Sequence, residues 1–104
     1  MGEPSIIELL GRIDSATGPI IEGQIANALA RSPSVLVLDM SRITFISSMG
    51  LRVLLMAAKQ CSQQKIRLAL HSVPEHTVEL FRISGMTSFF AMFPNRESAL
   101  NQES

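Results

Sequence analysis

Leu36-Val37-Leu38-Asp39-Met40-Ser41-Arg42-Ile43-Thr44-Phe45-Ile46-Ser47-Ser48-Met49-Gly50-Leu51 carries a strand into the start of a helix. With Val35, the run to Leu38 is continuously apolar, as expected of a central strand covered on both faces. Residues 39–44 lead through Phe45 and Ile46 to two serines, and from there to about Gln60 the apolar period becomes helical. A helix start offers unpaired N–H groups and the positive end of the helix dipole, so a phosphate on either hydroxyl would be well placed. Either serine would equally serve as an ordinary N-cap, worth about 1 kcal/mol. Spacing alone does not separate the two roles. Gly50, in the first turn, lowers helix propensity and is expected to leave the backbone uncovered for a closely approaching partner.

Outward from this stretch, apolar runs and helical periods alternate. A first strand is expected at Ser5–Leu10, ending at Gly11. Thr17 is placed to cap a helix with Pro19 at its second position, and Ile21, Ile25, Ala28 and Leu29 form one stripe on it. Ser32-Pro33-Ser34 breaks that helix. A third strand is expected at Ile66–Leu70, and Pro74 opens a helix through Val78 and Phe81 that Gly85 closes. Ser88–Phe93 reads as a last strand covered on two sides, followed by a short helix over Glu97–Leu100. Strand and helix in strict alternation predict an α/β fold: a mixed or mostly parallel sheet of about four or five strands with helices packed against it. The 104 residues are expected to form one domain, 1–104.

Composition removes several classes of function. Formal net charge is zero, with no basic run to neutralise nucleic-acid phosphates or to seek an anionic membrane. No apolar run approaches the length of a membrane span, and Met1-Gly2-Glu3-Pro4 lacks a signal-peptide pattern. Cys61 is the only cysteine, so no internal disulfide forms, and a cytoplasmic location is expected. His71 and His76 are too isolated to imply a metal site; satisfied strand-end and surface roles suit them better. There is no Ser–His–Asp arrangement and no glycine-rich nucleotide cradle, so neither an enzyme nor a cofactor is expected.

The helix after Ser48 has two sides. Leu51, Leu54, Leu55 and Ala58 share a face suited to the sheet, and Met49, Arg52, Val53 and Met56 lie opposite. Three apolar residues on an outward face beside the serines read as a binding patch, with Arg52 one turn on to pair a phosphate or a partner carboxylate.

Three motifs, in order, carry a resemblance over nearly the whole chain. Gly11-Arg12-Ile13-Asp14 with Thr17 resembles the Gly-x-Leu-Asp loop of the STAS-domain antagonists. Ser47-Ser48-Met49-Gly50-Leu51 resembles their Asp-Ser-small-Gly-Leu helix start, and Leu80-Phe81-Arg82-Ile83-Ser84-Gly85-Met86 their Leu-Phe-x-x-Ser-Gly-Leu helix end. The resemblance implies an anti-sigma-factor antagonist, with Ser48 phosphorylated by a partner anti-sigma factor that is itself a serine kinase. It further implies that a serine phosphatase reverses the mark and that only the unphosphorylated form binds. It also implies that Asp14 lies near Ser48 and contributes to partner contact; spacing alone allows a turn-forming Asp bonded to its own backbone. Asp39, at a strand end, is a weaker candidate for the same role.

The sequence departs from the family in three ways. Ser47 stands where Asp is usual and becomes a competing acceptor, and Met49 stands where a small residue is usual. The family also has a strand before the one over Ile6–Leu10, whereas only Met1–Pro4 precede it here. An uncovered sheet edge would favour self-association. The alternative within the same fold is an adaptor, or a regulatory subunit of a transporter, that does not use the phosphoserine.

Overall fold

The computed structural model describes residues 2–101; Met1 and residues 102–104, which the single-domain reading includes, lie outside the described residues. Strands β1 (Ser5–Ile13), β2 (Val35–Ile46), β3 (Arg67–His71) and β4 (Ala91–Phe93) lie in the order β1-β2-β3-β4. All three pairings are parallel, so among the described residues the sheet has no mixed character. Helices α1 (Gly18–Leu29), α2 (Ser48–Gln63) and α3 (Glu75–Ile83) make the crossovers, and α4 (Arg96–Leu100) closes the described chain.

Period-2 alternation assigns the two faces of the sheet. Leu9, Ile13, Leu36, Leu38, Met40 and Leu70 join the main core with residues of α1 and α2 and with Phe81 of α3. Val35, Val37 and Ala69 turn the other way and bury Ala99 of α4. Leu36, Leu38, Leu54 and Leu70 are fully enclosed, so truncating any of them to Ala would cost about 2–5 kcal/mol.

Several boundaries differ from the sequence reading. β1 does not stop at Gly11; it passes through that residue at φ 71° and runs to Ile13. β2 does not end near Leu38 but continues to Ile46, because Ile43 and Ile46 go on supplying inward side chains. The last strand is only Ala91–Phe93: Thr87–Phe89 form a 3-10 turn that seats Phe90 on Phe81, ring centres 4.8 Å apart, and leaves Phe89 exposed. α3 ends as read, with Gly85 at φ 71°; the N–H groups of Gly85 and Met86 donate to the carbonyls of Arg82 and Phe81, a Schellman ending.

The division of α2 into two faces needs correction. Its buried residues are Gly50, Val53, Leu54, Ala57 and Cys61. Leu51 and Ala58 are half-buried against the core as expected, but Val53 does not face outward: it is 3% exposed. The cause is α1, which packs along α2 and covers a flank that periodicity against the sheet alone leaves open; the ideal Cβ position of Gly18 lies 3.2 Å from Val53 Cγ2.

Candidate functional site

Parallel pairing of β1 with β2 places Ile13 beside Ile46, which brings the end of β1 to the start of α2. The Ile13 carbonyl then fixes the next residue. It accepts from the Ser47 N–H at 2.9 Å and from the Ser47 hydroxyl at 3.3 Å. Ser47 is the N-cap: its Oγ accepts from the Gly50 N–H at 3.1 Å, and its carbonyl accepts from the Leu51 N–H at 2.9 Å. The Ser47 hydroxyl is therefore engaged in both directions and half-buried.

Ser48 is the first residue of α2. It is exposed, and its hydroxyl has no hydrogen-bond partner among the described residues. With Gly50 and Leu51 served by Ser47, the N–H groups of Ser48 and Met49 are the ones at this helix start with no intrahelical acceptor. Two adjacent serines thus have different surroundings, one spent on the cap and one open to solvent.

Gly50 has a different role from the one read in the sequence. It is buried, and a Cβ there would meet the Ile13 oxygen at 2.3 Å and Ile46 Cγ2 at 2.9 Å. Glycine is needed because the first turn of α2 approaches the end of β1, not because the backbone is left open to a partner. With Val53 also enclosed, the outward surface after Ser48 consists of Met49 (44% exposed), Arg52 and Met56 (41% exposed).

Asp14 follows Ile13 and so sits beside the same junction. Its Oδ1 accepts from the N–H groups of Ala16 and Thr17 at 3.0 and 3.2 Å, and its Oδ2 from Arg12 Nε at 3.3 Å. The Thr17 and Ala16 N–H groups hold its carboxyl below the ordinary value, with a smaller contribution from Arg12. Thr17 sits at the cap position of α1, but its side chain does not cap that helix. Its hydroxyl donates to the Arg12 carbonyl at 2.8 Å and accepts from the Asp14 N–H at 3.0 Å, which ties the loop together. The turn-forming role of Asp14 is therefore present, and the residue before it, Ile13, is the one that accepts from Ser47.

Two neighbours escaped the sequence reading. The Arg12 guanidinium lies over the Phe45 ring, 4.3 Å from its centre, and both residues are exposed. The available signal was that Phe45 precedes the inward Ile46 in a strand, which turns its ring outward.

The other candidates lie elsewhere. Asp39 is on the α4 face of the sheet. Burial would raise its carboxyl, but Ser41, with His71 and Arg96, holds it lowered. His71 ends β3, as read, and is buried, but it is only partly satisfied: Nδ1 is 2.8 Å from Ser72 Oγ, and Nε2 stands 3.9 Å from Asp39 with no hydrogen-bond partner among the described residues. His76 is exposed. No cluster of three potential metal ligands occurs among the described residues. Burial pushes the Cys61 thiol up to about 11, away from nucleophilic use. No described helix is long and apolar enough to cross a membrane.

The fold and junction define a small α/β domain that presents a serine at the start of its second helix. The description of the STAS domain family matches residues 2–99, and the chain belongs to that family. A protein of Bordetella bronchiseptica carrying the name anti-sigma factor antagonist BtrV is 38% identical over 91 residues, covering 88% of this chain and 78% of its own. The anti-sigma factor antagonist SpoIIAA in its unphosphorylated form superposes with a TM-score of 0.80 at 19% identity, over 98% of this chain and 89% of its own. A sulfate transporter family protein from Wolinella succinogenes superposes at 0.83 with 20% identity, over 94% of this chain and 82% of its own. At such identities the last two likenesses show the fold.

Proposed function

We propose that this protein is an anti-sigma-factor antagonist of a partner-switching pathway, turned off by phosphorylation of Ser48. Membership of the STAS family and the likeness to a Bordetella antagonist support the general role. The observation that carries the site is the contrast between the two serines: Ser47 is consumed by the cap, whereas Ser48 is exposed with a free hydroxyl. The protein acts as a binding partner and kinase substrate in the cytoplasm, not as an enzyme, and engages neither nucleic acid nor membrane.

Unphosphorylated, it docks on an anti-sigma factor that is also its serine kinase, through Ser48, Met49, Arg52 and Met56, with Asp14 at the rim. Phosphate adds about −1.5 to −2 charges at pH 7. Enclosed in a close-fitting interface, that charge is desolvated, and a penalty of about 3–4 kcal/mol weakens binding several hundredfold. In the free protein the same phosphate rests near the unpaired N–H groups of Ser48 and Met49, so no refolding is needed. A serine phosphatase restores the binding form. The open edge of the sheet at β1 provides for self-association as a separate property.

Calorimetric titration of the cognate kinase with the unphosphorylated chain and with a chain carrying phosphoserine at position 48 tests this reading. Tight binding by the first, with a loss of at least a hundredfold in the second, is expected. Equal binding by both forms would make the protein a constitutive STAS adaptor and end the switch.

A further inference from the structure

Strand β1 is an edge: its one strand neighbour among the described residues is β2. Its outer row of N–H and C=O groups is a template for another strand. Along it the side chains alternate strictly, with Leu9 and Ile13 buried and Ile6, Glu8, Leu10 and Arg12 exposed. The ladder with β2 is irregular twice, and each time the extra residue is on β2: Glu8 to Leu10 spans Asp39 to Arg42, and Gly11 to Arg12 spans Ile43 to Phe45. β1 keeps its alternation as a result. Gly11 leaves the flank open, with nothing within 4 Å of where its Cβ would stand. Beside the edge, α1 leaves a hollow of about 500 Å³ along Ser5–Glu8, and Leu10 and Ile20, 57% and 64% exposed, share a second hollow further along.

The occupant is indicated by the charges. An acid two residues before Leu10 and a base two residues after it make the exposed row complementary to its own reverse. With two copies of β1 antiparallel and Leu10 facing Leu10 of the second copy, each Glu8 faces the other copy's Arg12. The neighbouring registers fail this test. Centring on Glu8 or on Arg12 places like charges opposite each other, and centring on Leu9 or Gly11 leaves Glu8 and Arg12 apart. Glu8 now contacts Arg96 and Arg12 contacts the half-buried Asp14, each at 3.3 Å, and the Arg12 guanidinium also lies over the exposed Phe45 ring. Surface pairs of this kind exchange at little cost.

We propose that β1 pairs antiparallel with β1 of a second copy of this chain, centred on Leu10, joining two four-stranded sheets across a two-fold axis. The pairing covers Leu10 and Ile20 and does not depend on phosphorylation of Ser48. Sedimentation equilibrium of the wild type, Glu8→Arg, Arg12→Glu and the double exchange tests the register, with circular dichroism to check the fold. A wild-type dimer is expected, weakened at least about tenfold by either single exchange and restored by the double exchange. Leu10→Cys supplies a second test, since Cys61 is buried and stays out of the reaction. Under mild oxidation Leu10→Cys should form a covalent dimer and Ile6→Cys should not. A wild type that stays monomeric at its highest soluble concentration, single exchanges without effect, a double exchange that fails to restore, or equal cross-linking at both cysteines would each overturn the proposal.

Discussion

Gly50 lies so close to Ile13 that a Cβ on it would stand 2.3 Å from the Ile13 carbonyl oxygen. The same oxygen receives the N–H and hydroxyl of Ser47. One carbonyl at the end of β1 therefore fixes where α2 begins, and with it the direction in which Ser48 is presented.

Replacing Gly50 with Ala drives the new methyl into the Ile13 carbonyl, a backbone group with no flexible end to yield. The expected loss is about 1–3 kcal/mol. Urea denaturation should show a lower midpoint with an unchanged slope.

The two serines should separate stability from switching. Ser47→Ala removes the cap and is expected to cost about 1 kcal/mol, while Ser48→Ala should change stability by less than about 0.5 kcal/mol. Thermal unfolding of both variants checks the contrast. A larger loss in Ser48→Ala than in Ser47→Ala would contradict the hydrogen bonding described for the junction.

Asp14 ties its loop to pH. Its carboxyl is held low in the folded chain by the Thr17 and Ala16 N–H groups, so the stability it contributes is present above the ordinary Asp value, 3.8, and is lost as pH falls through the lower folded value. The stability gap between wild type and Asp14→Asn should therefore be constant at neutral pH and close in acid below that point. Denaturation curves measured from pH 7 downward test this.

Val53 and Met56 sit three residues apart and are expected to behave in opposite ways. Val53→Ala empties part of the α1–α2 contact and should destabilise the protein by about 1–3 kcal/mol. Met56→Lys should leave stability nearly unchanged yet weaken kinase binding at least about tenfold, as loss of an interface residue does. Paired unfolding and binding measurements distinguish them.

Much of this was legible in the chain. The run Val35–Leu38 announced a strand buried on both faces, and Gly85 marked a helix end that the structure closes as a Schellman motif. The alternation of strands and helices gave the α/β class. What failed depended on contacts between elements far apart in sequence. Val53 turned inward because α1 covers it, and Gly50 proved to be a packing requirement because β1 ends against it. Neither approach is encoded within the period of α2 itself. Spacing alone did not separate Ser47 from Ser48; the family resemblance pointed to Ser48, while the hydrogen bonding that sets Ser47 apart depends on a carbonyl 34 residues away in sequence.

Phosphopeptide mass spectrometry after incubation with the cognate kinase and Mg-ATP decides whether Ser48 is the switch, with wild type, Ser47→Ala and Ser48→Ala side by side. One added phosphate is expected, on Ser48, retained in Ser47→Ala and absent from Ser48→Ala. Phosphate on Ser47 in the wild type, or none on a chain that binds the kinase, would contradict it.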